Sequence, residues 1–182
     1  MNDLTALMQK LKCSDVCYDM DAILLAYQTA ANNYQGVVQK SGEPYIIYPV
    51  SVAMIIADTG IDTNSVVAAL LYDGENDITS AEICSQFGED VAGLVDGVNR
   101  LRVCPSQNLN QKIQTESPDV RTVTLLLADR LHRTRMVMSE KYRIQMMETM
   151  SVYIAIAHNL GLWLIEKELA EFWQKCQNEL SP

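Results

Sequence analysis

Apolar residues recur at the spacing of an α-helix through most of this chain, and this periodicity limits the folds that it can adopt. Residues 20–34 show the pattern clearly, with an amphipathic stripe at Ile23, Leu24, Tyr27, Ala30 and Ala31. Similar segments cover residues 50–59, 64–72, 90–101, 119–138, 140–159 and 162–178. No convincing hairpin signal separates them. The sequence therefore predicts an all-α fold of about eight to ten helices, arranged as a single domain over residues 1–182.

Local signals predict several helix boundaries and one loop. The run Thr79-Ser-Ala-Glu82 is a capping-box pattern, so a helix should begin near Ser80, and Gly88 should end it. Gly161 marks a break between the last two helices. Residues 104–118, CPSQNLNQKIQTESP, are polar and lack periodicity. We expect them to form a flexible surface loop.

The charge and cysteine content exclude some functional classes. A net charge of -9 argues against nonspecific binding to nucleic acid or anionic membrane, so neither is an expected partner. The five cysteines are odd in number and form no CxxC pair, which argues against a zinc finger or a disulfide scaffold. No apolar run is long enough to span a membrane, and the N-terminus lacks the pattern of a signal peptide. These features predict a soluble, cytoplasmic protein.

Several ordered motifs extend over nearly the whole chain. They are SGEPYIIYPVSVA at 41–53, AALLYDGENDIT at 68–79, FGEDVAGLVDGV at 87–98, and LADRLH at 127–132, followed by Arg135. In order and spacing they resemble the hydrolase domain of the RelA/SpoT family, whose patterns are SGEPYxxHPxxVA, AALLHDxxEDT, FGxxVAxLVDGV and LADRLHNMR. The resemblance covers about residues 20–175 and implies an HD-superfamily helical fold. It also implies a place in (p)ppGpp metabolism and the stringent response.

The resemblance implies a metal site whose positions have changed here. In the family, the histidine of HP, the His-Asp pair of HD and the aspartate of LADR hold a Mn²⁺ ion. That ion activates a water, which removes the 3′-pyrophosphate of (p)ppGpp. The corresponding metal positions of this chain are Tyr48, Tyr72, Asp73 and Asp129. The family's catalytic glutamate corresponds to Asn76, and its neighbouring aspartate is kept as Asp77.

Loss of the histidines makes the family's metal centre impossible in its usual form. Only His132 and His158 remain, and neither stands at a ligand position of the family. A third histidine position is Tyr34, and the arginine before the SGEPY loop is Gln39. A phenol, whose ordinary pKa is about 10, is a poor ligand for Mn²⁺ at neutral pH. We therefore expect no cofactor, and we interpret positions 48, 72, 73, 76, 77 and 129 as vestigial.

Two structural alternatives remain open for these positions. Tyr48 and Tyr72 could fill the volume of the lost imidazoles and metal, with hydroxyls hydrogen-bonded to Asp73 or Asp129. The two carboxylates could then be neutralised by a nearby arginine, for which the candidates are Arg130, Arg133 and Arg135.

The resemblance also identifies candidate nucleotide-binding residues. Lys40, Ser41 and Tyr45 keep the loop that lies near the guanine and ribose in the family, and Arg133 replaces an asparagine that lines the family's nucleotide site. As alternatives, the loop is kept for its turn, Tyr45 is a partly buried tyrosine, and Arg133 is a solvated surface residue.

Three functions are compatible with these residues. The first is a catalytically inactive hydrolase-like module that binds a guanine nucleotide (ppGpp or pppGpp) or a protein partner and acts in regulation. The second is an active (p)ppGpp 3′-pyrophosphohydrolase with an altered Mn²⁺ centre. Retention of Asp73, Asp77 and Asp129 favours it, and Asp73 and Asp129 would be the metal ligands. The third is a structural protein, possible as a homo-oligomer, that uses the helical scaffold alone.

Overall fold

The fold is seen in a computed structural model that describes residues 2–72, 78–116, 118–136 and 140–180. Within these ranges the secondary structure is helical, which confirms the predicted all-α class. The ten helices of the described ranges are α1 (Asn2–Lys12), α2 (Met20–Asn33), α3 (Ile47–Thr59), α4 (Thr63–Leu71), α5 (Ser80–Phe87), α6 (Glu89–Arg102), α7 (Ser106–Glu116), α8 (Val120–Arg135), α9 (Glu140–Asn159) and α10 (Trp163–Leu180).

The chain divides into two compact units, Met1–Arg100 and Leu101–Pro182, with the boundary inside α6. The first is called the N-terminal unit and the second the C-terminal unit. Such units also occur within one domain, so the expectation of a single domain stays a prediction.

The N-terminal unit is built around α4. This helix packs against α2 and α3, and α3 also packs against α1. Its sequence from Ser65 to Leu71 is buried throughout, because nearly every residue is apolar and no polar face is available for solvent. The Asp62 side chain caps the helix by accepting a hydrogen bond from the Ser65 amide at 2.9 Å. Tyr72 follows immediately and is fully buried.

The C-terminal unit is organised around α8, α9 and α10. The last two helices pack closely together, and α8 contacts both of them. The α8 helix is buried without interruption from Thr122 to Asp129. Asp119 caps its first turn, and Arg121 also pairs with the Asp119 carboxylate at 2.7 Å. Asp129, at the end of this buried run, is a charged residue that burial keeps away from solvent.

The predicted boundaries near Ser80, Gly88 and Gly161 agree with the structure. Thr79 and Glu82 form a complete capping box in front of α5. Gly88 ends α5 with a φ of 90°, a conformation that favours glycine. Gly161, with a φ of 67°, lies between α9 and α10. Sequence signals of this kind act locally, which is why they predict boundaries well.

The prediction of a loop over residues 104–118 is wrong for most of its length. Residues Ser106–Glu116 form α7, which packs against α9. Leu109 is fully buried and Ile113 is half-buried, so two apolar residues four positions apart hold an otherwise polar helix. Pro105, just before the helix, was a usable start signal.

In the part of the chain that the structure describes, no helix combines the length and apolar character needed to cross a membrane.

Candidate functional site

The SGEPY segment of the N-terminal unit forms a tight turn. The Gln39 amide donates to the Glu43 carbonyl at 2.8 Å, and the Tyr45 amide donates to the Val37 carbonyl at 3.0 Å. Gly42 adopts a φ of 88° within this turn, a value that a side chain would disfavour. Lys40 and Ser41 lie at the exposed tip. Both are accessible to a ligand, as the predicted nucleotide contact requires.

Three tyrosines lie side by side at the base of this turn, and we call Tyr34, Tyr45 and Tyr48 the tyrosine cluster. The rings of Tyr34 and Tyr45 have centroids 4.8 Å apart and are tilted by 42°. The rings of Tyr45 and Tyr48 are stacked, with centroids 5.9 Å apart. Tyr45 thus packs between two other aromatic rings, which agrees with the interpretation of a partly buried tyrosine. A nucleotide base that stacked on Tyr45 would have to compete with these contacts.

The remaining predicted positions of the N-terminal unit fall at or beyond the end of α4. Tyr72 is fully buried, and its amide donates to the Ala68 carbonyl at 2.9 Å. Asp73, Asn76 and Asp77 lie outside the described residues.

Asp129 is at the centre of an ionic cluster in the C-terminal unit. Its side chain is only 6% exposed, and its Oδ2 atom lies 3.0 Å from Nε of Arg133, one helical turn further along α8. The Nε atom of Arg102, at the end of α6, lies 4.0 Å from the same oxygen. We call these three residues the Arg102–Asp129–Arg133 cluster. Arg133 is therefore a counter-ion of Asp129, as one of the sequence-based alternatives proposes.

His132 stands next to this cluster and is 5% exposed. Burial lowers the pKa of its imidazole to about 4, the nearby Asp129 carboxylate opposes that change, and Arg135 and Arg133 add to it. His132 is therefore a neutral side chain at pH 7. His158 is exposed, and its Nδ1 lies 3.0 Å from a Glu166 carboxylate oxygen.

Two further arginines of α8 have other partners. Arg130 donates to the Tyr153 hydroxyl at 2.6 Å, and its guanidinium lies 4.1 Å from the centre of the same ring. The Ser106 hydroxyl is 3.4 Å from the Tyr153 hydroxyl, which links α7 to this contact. Arg135 pairs with Glu168 at 2.6 Å. Sequence reasoning missed the role of Tyr153, because these partners are far apart in the chain.

The described residues do not fit a Mn²⁺ centre of the family's kind. They contain no group of three or more histidine, cysteine, aspartate or glutamate side chains that could hold a metal ion. Asp129 is already paired with a guanidinium. The other described positions of the set, Tyr48 and Tyr72, offer phenols in place of imidazoles.

The HD domain family matches residues 26–163 of this chain. The chain is 37% identical over 162 residues to the guanosine-3′,5′-bis(diphosphate) 3′-pyrophosphohydrolase of Aquifex aeolicus, covering 84% of this chain and 23% of that protein. It is 36% identical over 159 residues to the bifunctional (p)ppGpp synthase/hydrolase SpoT of Escherichia coli, covering 80% and 23%. The GTP pyrophosphokinase of Myxococcus xanthus is 36% identical over 169 residues, with coverage of 84% and 22%. The chain thus spans less than a quarter of the length of these relatives.

A solved structure has a similar fold. It is that of a metazoan ortholog of SpoT that hydrolyzes ppGpp, and it matches with a TM-score of 0.67 at 20% identity. The match covers 88% of this chain and 98% of that chain. At this identity the similarity establishes the fold alone, and it agrees with the predicted all-α, HD-type fold.

Proposed function

We propose that this chain, which belongs to the HD domain family and is homologous to the (p)ppGpp 3′-pyrophosphohydrolases, is a degenerate hydrolase-like domain without catalytic activity. In this proposal it binds a guanine nucleotide, ppGpp or pppGpp, without cleaving it, and acts in the cytoplasm as a regulatory or interaction module. It requires no metal cofactor.

The ion pair between Asp129 and Arg133 is the observation that supports the proposal most strongly. A divalent ion bound to Asp129 would lie within a few ångströms of the Arg133 guanidinium, whose Nε is 3.0 Å from the carboxylate. At about 4 Å, and with an effective dielectric constant of about 20, repulsion between a dication and a guanidinium amounts to roughly 8 kcal/mol. A metal would therefore have to displace Arg133, and the phenols at positions 48 and 72 supply little compensation.

The nucleotide part of the proposal relies on Lys40, Ser41, Tyr45 and Arg133. Exposure of Lys40 and Ser41 supports a contact with a ligand, and Arg133 has the guanidinium that suits phosphate groups. Tyr45 contributes in this proposal by fixing the turn through its contacts with Tyr34 and Tyr48. Alanine substitution of Lys40 or Ser41 should then weaken ppGpp binding in equilibrium dialysis without changing thermal stability.

The decisive experiment incubates metal-free protein with Mn²⁺ and ppGpp. Calorimetry measures metal uptake, and pyrophosphate release is measured in the same samples. The E. coli SpoT enzyme is the positive control. We expect no stoichiometric metal uptake, no pyrophosphate release above the protein-free background, and recovery of intact ppGpp.

The opposite outcome would identify an active enzyme. Stoichiometric Mn²⁺ uptake with turnover, both abolished by Asp129→Ala, would mean that the carboxylates have rebuilt a metal centre and that the proposal is wrong. Absence of both turnover and ppGpp binding would remove the nucleotide from the proposal and favour a protein partner.

A further inference from the structure

Charge is distributed very unevenly between the two units. Residues 1–100 contain 14 acidic and four basic side chains, whereas residues 101–182 contain nine acidic and ten basic ones. The C-terminal unit therefore carries ten of the 14 basic side chains and is close to neutral, although the whole chain has a net charge of -9. A polyphosphate ligand is therefore repelled less by the C-terminal unit than by the acidic N-terminal unit.

Within that unit, the positive charge is concentrated on α8. This helix contains four arginines and one acidic residue, Asp129. Arg121 pairs with Asp119, Arg130 contacts Tyr153, and Arg135 pairs with Glu168, so these three each have a partner of their own. Arg133 differs from them because its acidic partner is buried and is shared with a second arginine.

The geometry of the Arg102–Asp129–Arg133 cluster brings two guanidinium groups together. The Nε atoms of Arg133 and Arg102 lie 3.0 and 4.0 Å from the same oxygen of Asp129, so they are at most 7.0 Å apart. The side chain of Arg133 is 45% exposed and that of Arg102 is 19% exposed, whereas Asp129 is 6% exposed. Solvent thus reaches the arginines, while the carboxylate that holds them lies beneath.

We infer that Arg102 and Arg133 form a binding site for a pyrophosphate group that needs no metal ion, in which the two guanidiniums supply the positive charge and Asp129 positions them. Arginine suits this role because its planar fork donates two parallel hydrogen bonds to phosphate oxygens and stays charged at every physiological pH. The inference rests on the proposed function for the nucleotide that carries the pyrophosphate.

The test uses the full chain and inorganic pyrophosphate, in low-salt buffer from which a chelating resin has removed divalent cations. Isothermal titration calorimetry measures the affinity. We expect saturable binding to one site in the wild-type protein, and a loss of about tenfold or more in Arg133→Asn, because a charge-assisted contact to phosphate is removed.

Arg135→Asn is the matched control. Arg135 lies on the same helix and its side chain is 46% exposed, but it pairs with Glu168 and takes no part in the cluster. The substitution changes the net charge by the same amount as Arg133→Asn, and it should leave the pyrophosphate affinity within about twofold.

Two further variants separate binding from structural support. Asp129→Asn removes the competing negative charge but keeps a side-chain oxygen that can accept a hydrogen bond from Arg133, so it should maintain or tighten pyrophosphate binding. Arg133→Asn could unfold because it weakens the pairing of a buried carboxylate. In that case the double variant Asp129→Asn with Arg133→Asn removes both charges and should fold. Its pyrophosphate affinity should be as low as that expected for Arg133→Asn.

Three results would overturn the inference. They are the absence of saturable binding to the wild-type protein, an equal loss in the Arg133 and Arg135 variants, or a loss in Asp129→Asn as large as that in Arg133→Asn. None of these depends on pyrophosphate release from ppGpp, so failure of this site and failure of the proposed function remain distinguishable.

Discussion

His132 shows at the scale of a single residue how burial determines charge. Its pKa falls from an ordinary value of 6.5 to about 4, chiefly because burial disfavours the imidazolium. Between these values the unfolded chain binds a proton that the folded chain does not. The contribution of neutral His132 to stability is therefore present above pH 6.5 and is lost as the pH falls toward 4, by an amount on the order of 3 kcal/mol.

We therefore expect His132→Gln to reduce the pH dependence of unfolding. The free energy of unfolding, from urea titrations followed by circular dichroism, should fall less between pH 6.5 and 4 in this variant than in the wild-type protein. His158→Gln is the control, because His158 is exposed. Identical pH profiles for the wild-type protein and His132→Gln would contradict the burial argument.

From the sequence, Arg133 was one of three candidate counter-ions for the carboxylates, whereas the contacts between distant residues were missed. Arg133 is four residues from Asp129, so helical spacing made their contact foreseeable. Arg102 belongs to another helix, and no pattern in a single sequence indicates that it approaches Asp129. The same reason hid the contact of Arg130 with Tyr153.

At the scale of the helix, the capping box of α5 is the feature best suited to a quantitative test. The Thr79 hydroxyl accepts a hydrogen bond from the Glu82 amide, and the Glu82 carboxylate accepts one from the Thr79 amide at 2.8 Å. This second bond is the main reason why the pKa of Glu82 is lowered. Thr79→Ala should reduce the free energy of unfolding by about 1 kcal/mol.

Ser85→Ala serves as the control for the capping box, since it removes a hydroxyl from an exposed position of the same helix. It should change the free energy of unfolding by less than about 0.5 kcal/mol in urea denaturation. Equal effects of the two substitutions would mean that the capping box does not stabilise α5.

The α7 helix is mostly polar, and we attribute its stability to the burial of Leu109. Leu109 is its one fully buried residue among those described, whereas the neighbouring Asn110 is exposed. Leu109→Ala should destabilise the protein by about 2 kcal/mol or more through the cavity that it leaves. Amides of residues 106–116 should then exchange hydrogen faster, while Asn110→Ala should leave exchange unchanged. Unchanged exchange in Leu109→Ala would contradict this account of α7.

At the scale of the whole molecule, the division into two units could not be predicted from the sequence. Composition and periodicity describe helices one at a time, whereas units are defined by contacts between helices that are distant in the chain. The charges can be counted in the sequence, but they can be assigned to the two units only when the boundary near Arg100 is known. This boundary places the candidate nucleotide residue Lys40 in the acidic unit and Arg133 in the nearly neutral unit, which contains ten of the 14 basic side chains.

Lys40 and Arg133 therefore allow the nucleotide proposal to be tested separately in each unit. Lys40 is exposed and belongs to the unit with the acidic excess, and the family resemblance relates its loop to guanine and ribose. Lys40→Gln should therefore weaken ppGpp binding and leave the affinity for inorganic pyrophosphate within about twofold. Arg133→Asn should weaken the binding of both ligands, because both contain the pyrophosphate group. Calorimetry with the two ligands on the two variants gives four affinities. If Lys40→Gln lowers pyrophosphate affinity as much as Arg133→Asn does, general charge loss explains the binding and the assignment of pyrophosphate to α8 is wrong.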